Sequence, residues 1–289
     1  TTNPIINSAY GEPTRHWAFG DVEPTVKEGR RPAGYLISSP DGTLKITDYI
    51  VPLDVVNDLR GRVERWREDR YQGASQVTRD LFSYWFDDTR ILTSTRPFFC
   101  QQEAVETIVF LAEAPDDRKV GVNVPESGEA YTRWAVKMAT GTGKTTVMAM
   151  LILWSGLNRL TGSRDSRFTD QFLVVAPNLT VRDRLSDAGG VDPKHPESVY
   201  VGFDLVPPQY SSLIGQLRVQ VMNWHGLTPK EDPKHSVVKR GRESDKAFAK
   251  RVLTDLSDSG RIMVLNDEAH HAYRFPADLK ATGKDAEEV

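Results

Sequence analysis

The feature that most constrains this chain is the run Met138-Ala139-Thr140-Gly141-Thr142-Gly143-Lys144-Thr145, set between two apolar stretches. The stretch before it, Arg133 to Met138, reads as a strand, and the stretch after it, Lys144 to Leu160, reads as a helix. Glycines at such a junction let backbone amides turn inward without a Cβ clash, and the helix start adds the positive end of its dipole. That is a cradle for anions. A lysine followed by a hydroxyl residue suits a nucleoside triphosphate with Mg2+: Lys144 would reach the β- and γ-phosphates, and the Thr145 hydroxyl would take a position on the metal. The expected phosphate-binding residues are thus Ala139, Thr140, Gly141, Thr142, Gly143, Lys144, Thr145 and Thr146. One position departs from the G-x-x-x-x-G-K-[ST] pattern, since Met138 stands in place of its first glycine.

A second signal lies downstream. The strand expected over Arg261 to Leu265 runs into Asn266-Asp267-Glu268-Ala269-His270, which puts two carboxylates at the carboxyl end of a strand. Ligands of open α/β sheets bind at that end. Asp267 can hold Mg2+, and Glu268 can orient and deprotonate the water that attacks a γ-phosphate. Taken alone, an acidic pair before a helix is commonly a cap. Downstream of a phosphate loop the catalytic reading is favoured. Zinc at His270 and His271 lacks a second pair of suitably spaced ligands, and the carboxylates suit a hard cation better. The single cysteine, Cys100, has no evident base beside it and cannot form an intrachain disulfide, as fits a reducing cytosol.

Between and around these signals the pattern alternates. Short β-branched runs at Phe172 to Ala176, Leu217 to Met222 and Ile262 to Leu265 read as strands buried on both faces of a parallel sheet. Helices are expected at Gln101 to Glu113, Leu179 to Leu185 and Asp245 to Leu256. This predicts an α/β fold with a mostly parallel, doubly wound sheet over residues 95–289. Residues 1–94 form an α-rich N-terminal extension, with loops and a small hairpin first, then amphipathic helices over Val55 to Arg70 and Gln76 to Phe86. The aromatics Phe82, Tyr84, Trp85 and Phe86 are read as packing residues ahead of a base-stacking platform. The basic run Lys239-Arg240-Gly241-Arg242 is read as a solvated loop ahead of a phosphate-backbone contact. A net charge of −3 advertises no global field for nucleic acid, so any such contact must be local. The longest purely apolar stretch, Val147 to Trp154, is far short of the ~20 residues that cross a bilayer, and no membrane partner is expected. A cytoplasmic location is expected.

Together these blocks resemble superfamily 2 helicases of the DEAH-box type. The phosphate loop resembles their motif I, and Asp267-Glu268-Ala269-His270 resembles motif II, where His270 is implied to couple nucleotide state to a neighbouring domain. Arg96-Pro97-Phe98-Phe99-Cys100-Gln101-Gln102-Glu103-Ala104 is similar to the adenine-reading Q motif, which implies that Gln101 pairs with the base. Val174-Val175-Ala176-Pro177-Asn178-Leu179-Thr180-Val181-Arg182 is similar to motif Ia, which implies nucleic-acid backbone contacts from Pro177, Asn178, Thr180 and Arg182. Asn178 and Thr180 can donate to phosphate oxygens and Arg182 adds charge, although Asn178 suits a helix cap equally well.

Within that superfamily the wording looks most like the motor (Res) subunit of type III restriction enzymes, as do Met222-Asn223-Trp224-His225 and the stretch from Ala176 to Leu185. The resemblance spans about Pro97 to Arg274. It implies a RecA-like P-loop domain that hydrolyses ATP with Mg2+, duplex DNA as partner, and a modification or specificity subunit beside it in a restriction or phage-defence system. It also implies a second RecA-like domain. A chain that opens at Thr1 and stops at Val289 without a Ser-Ala-Thr block reads as a piece of something longer. Pro115-Asp116-Asp117-Arg118-Lys119 has a nuclease-like wording but lacks a companion acid, and reads as a solvent loop. Two other readings stay open: an RNA helicase or remodeller, since backbone contacts say little about the sugar, and a nucleotide-binding module without productive hydrolysis.

Overall fold

The computed structural model describes residues 4–18, 23–36, 50–93, 96–124, 131–162, 164–227, 244–256 and 260–268. His270, the basic run at 239–242 and residues 125–130 lie outside the described residues.

The extension begins with an antiparallel hairpin, β1 (Arg15–Ala18) with β2 (Thr25–Glu28), followed by β3 (Gly34–Leu36) paired with β4 (Ile50–Pro52). Helices α1 (Asp54–Glu68) and α2 (Gln76–Phe86) come next, the second opened by Ser75, whose side chain accepts the Thr78 N–H. Their apolar stripes meet α3 (Phe99–Glu113) around Trp66, Phe82 and Phe110, all buried, with Trp66 and Phe110 edge to face at 5.5 Å. Trp85 is also buried and its indole N–H donates to the Leu205 carbonyl at 2.7 Å. Phe82 and Trp85 are therefore packing residues, and base stacking by them is ruled out.

Helix α4 (Asp116–Lys119) is a single turn where a loop was expected, closed by a Lys119–Asp116 pair at 3.2 Å. Arg118 in the same turn reaches Asp69 at 2.6 Å, so the nuclease-like wording is used in surface pairing. Helix α5 (Lys144–Leu160) is buried nearly all round from Thr146 to Asn158, as its unbroken apolar run requires. A carboxylate joins three of these helices: Glu113 of α3 is buried and accepts from Ser75 N–H at 2.7 Å, Thr78 Oγ1 at 2.6 Å and Trp154 Nε1 at 2.5 Å.

The sheet contains β5 (Gln171–Ala176), β6 (Arg218–Asn223) and β7 (Met263–Asn266), all parallel, in the order β6-β5-β7. Strand β5 is central and wholly buried. Phe172, Val174 and Ala176 face the large core with α5, while Leu173 and Val175 face a smaller cluster with Leu256, so both faces of the sheet are covered. The connections are helical: α6 (Leu179–Ser186) and α7 (Val199–Gly202) follow β5, and α8 (Asp245–Val252) follows β6. Helix α8 ends four residues earlier than expected.

The expected strand over Arg133 to Met138 does not form. The segment has no regular secondary structure and carries no ladder bonds, and Trp134 and Val136 are exposed at 38% and 42%. Composition gives a stretch the tendency to be a strand, but a parallel strand exists only through a neighbour, and among the described residues none pairs with it.

Candidate active site

The phosphate loop lies between the unpaired segment and α5. Gly141 and Gly143 both adopt left-handed backbone, at φ +80° and +77°, as the inward turn requires. Inside the loop the Thr142 hydroxyl donates to the Ala139 carbonyl at 2.6 Å. Gly143 caps α5, accepting the Thr146 N–H at 3.0 Å, so Lys144, Thr145 and Thr146 form the first turn. A β-carbon at Gly141 would meet nothing within 4 Å, whereas one at Gly143 would overlap Gln101 Nε2.

The carboxylates come from the end of β7. The Asp267 N–H donates to the Val175 carbonyl at 2.9 Å, which fixes Asp267 against the central strand, and its side chain is buried. Glu268 follows in left-handed backbone at φ +53°, a strained setting for a residue with a Cβ, and its N–H donates to Asp267 Oδ1 at 3.1 Å. That turn aims Glu268 at the phosphate loop, where Lys144 Nζ lies 3.3 Å from Glu268 Oε1. The lysine of one signal and the acidic pair of the other are thus brought together, although Lys144 and Glu268 stand 124 positions apart. Burial pushes the Asp267 carboxyl above the ordinary carboxylate range, and the neighbouring Glu268 charge adds to this. Lys144, the Glu268 N–H and Arg184 act in the opposite direction. Arg184, on α6, had no local signal marking it as a neighbour of the carboxylates.

Gln101, from the Q-motif-like stretch, packs against the phosphate loop. Its side chain is buried, with Oε1 accepting the Phe98 N–H at 2.8 Å and Nε2 donating to the Thr142 carbonyl at 3.0 Å. Its amide faces the phosphate loop. The motif Ia-like residues lie at the end of β5, on the same rim as the carboxylates. Asn178 caps α6 by accepting the Val181 N–H at 2.9 Å, Thr180 is exposed, and Arg182 Nε donates to its neighbour Asp183 at 2.9 Å. Pro177 joins strand to helix. Cys100 is half-buried and burial raises its thiol, which makes it a poorer nucleophile.

Thr145 and Asp267 supply hard oxygen donors of the kind magnesium takes, and among the described residues no group of three His, Cys, Asp or Glu side chains forms a metal cage. That donor set fits an ion shared between protein and phosphate oxygens. Among the described residues no helix is long and apolar enough to cross a membrane.

The family profile of the type III restriction enzyme, Res subunit, matches residues 94–281, about two thirds of the chain. The chain belongs to this family. Membership brings the RecA-like P-loop fold and the activity class of an ATP-dependent helicase or translocase motor of superfamily 2, and the parallel three-stranded sheet flanked by helices is consistent with it. No curated protein and no solved structure matches the chain.

Proposed function

We propose that this Res-family chain is the ATP-binding lobe of a DEAH-type DNA translocase, serving a cytoplasmic restriction or phage-defence system. In this reading residues 1–94 are an extension and residues 95–289 the first RecA-like domain, completed by a second such domain and a modification or specificity subunit. The observation that carries the reading is the Lys144–Glu268 approach of 3.3 Å with Asp267 beside it. A triphosphate cradled by residues 139–146 would bring its γ-phosphate to Lys144, the group that Glu268 now faces. Glu268 then accepts the proton of the attacking water as the new oxygen–phosphorus bond forms and the bond to ADP breaks. Thr145 and Asp267 would hold magnesium, which would neutralise the triphosphate charge. His270 passes the outcome to the adjoining domain, and Pro177, Asn178, Thr180 and Arg182 touch the DNA backbone.

The test pairs two variants of the full chain with its second domain. Lys144→Ala should lose Mg-ATP binding, whereas Glu268→Gln should bind and fail to turn over. Undiminished DNA-stimulated hydrolysis in both would overturn the proposal. Stimulation by duplex DNA above single-stranded DNA or RNA identifies the track, and stimulation by RNA alone would replace the DNA reading.

A further inference from the structure

The segment ahead of the family match bears directly on the helix that holds the phosphate loop. Helix α3 begins at Phe99, and the Phe99 N–H, unsatisfied within its own helix, donates to the Ala9 carbonyl at 2.8 Å. The neighbouring Tyr10 ring packs on Phe98 at 5.6 Å. Asn7 ties this stretch to the hairpin, accepting the Thr14 N–H at 3.1 Å and donating to the Arg15 carbonyl at 3.0 Å. Just past the hairpin, Arg30 grips Glu103 of α3 through both carboxylate oxygens, the Nη2–Oε2 distance being 2.5 Å, while its guanidinium lies 5.5 Å from the centre of the Phe99 ring. A forked arginine–carboxylate pair over an aromatic ring fixes orientation as well as position.

These contacts fall on the turn that carries Gln101. Phe98, touched by Tyr10, donates its N–H to Gln101 Oε1, which leaves Nε2 directed at the Thr142 carbonyl, with the Gly143 carbonyl at 3.5 Å. Both ends of the amide are thus engaged, one by the helix start and the other by the loop. The path from Ala9 and Arg30 to Gly143 consists of adjacent contacts, each a fixed hydrogen bond, ion pair or packed ring.

We infer that Arg30, through Glu103 and the Phe98–Phe99 turn, is a positioning residue for the phosphate loop, with Gln101 as the strut. The extension thereby forms part of the nucleotide site although it precedes the matched domain. The inference rests on the nucleotide reading above for its binding consequence, but not for its effect on the empty loop. In Arg30→Ala and Glu103→Gln, backbone amide exchange over 140–146 should quicken in the ligand-free full chain. Affinity for ATP, GTP and inorganic tripolyphosphate should fall by the same factor, about two- to tenfold, because what is lost is loop geometry and not base recognition. The double variant should be no worse than the poorer single, and binding stoichiometry should stay at the parent value, which separates loop displacement from a loss of folded protein. Unchanged exchange over 140–146 in both single variants overturns the inference whether or not the chain binds nucleotide. If the parent binds no triphosphate while that exchange still quickens, the nucleotide reading fails and the strut stands.

Discussion

Replacing Gly143 with alanine should be the most costly change in the phosphate loop, and its magnitude separates into two terms. The first is conformational: at φ +77° an L-residue in left-handed backbone loses about 1–2 kcal/mol relative to glycine. The second is steric, since the new methyl would overlap Gln101 Nε2 and drive the amide off the Thr142 carbonyl. A buried amide parted from its acceptor costs about 1–3 kcal/mol. Gly141→Ala is the internal control, because Gly141 has nearly the same φ, +80°, and open space around it, so only the first term applies. Urea unfolding of both variants, with slopes matching the parent, should therefore show Gly143→Ala less stable than Gly141→Ala by about 1–3 kcal/mol. Introducing Gly143→Ala into a Gln101→Ala background should remove most of that gap. Equal losses in the two glycine variants, within about 0.5 kcal/mol, would refute the Gln101 contact.

Three further outcomes are expected. Because its folded-state pKa is raised, Asp267 penalises the native state as pH rises through the ordinary carboxylate range towards that raised value, and the native state recovers on acidification. Asp267→Asn should flatten that part of a metal-free stability–pH profile, and an unchanged profile would contradict the assignment. Glu113→Leu strands the donors of Ser75, Thr78 and Trp154 and should cost upwards of about 3 kcal/mol by chemical denaturation, a loss under 1 kcal/mol counting against the network. Asn178→Ala should cost about 1 kcal/mol by the same assay through the lost cap on α6, and no change would show the cap to be immaterial.

Where a signal was local, the sequence was enough. Helix α5 has the expected ends because Gly143 can only cap and the residues after it are apolar on every side. Helix α2 starts where Ser75 offers its hydroxyl, and β5 reads as buried because none of Phe172 to Ala176 is polar. Segment 133–138 has strand-like composition, but pairing is a property of two segments, so composition could not decide it. The Arg30–Glu103 grip was equally hidden. Its partners stand 73 positions apart, each on a stretch whose charges look solvent-facing, and nothing in either neighbourhood specifies the other. Gln101 could be picked out by motif wording, yet the direction of its amide depends on Thr142, which only the fold brings within reach.

In the proposed reading, the Lys144–Glu268 ion pair makes ligand capture a substitution reaction. The ammonium has a resident counter-anion at 3.3 Å, so an incoming phosphate must take over an occupied partner. In the proposed reading the displaced carboxylate then turns from the lysine to a water molecule. With Glu268 as the proposed base, its arming is thereby tied to filling the cradle, because until then the carboxylate is paired with Lys144.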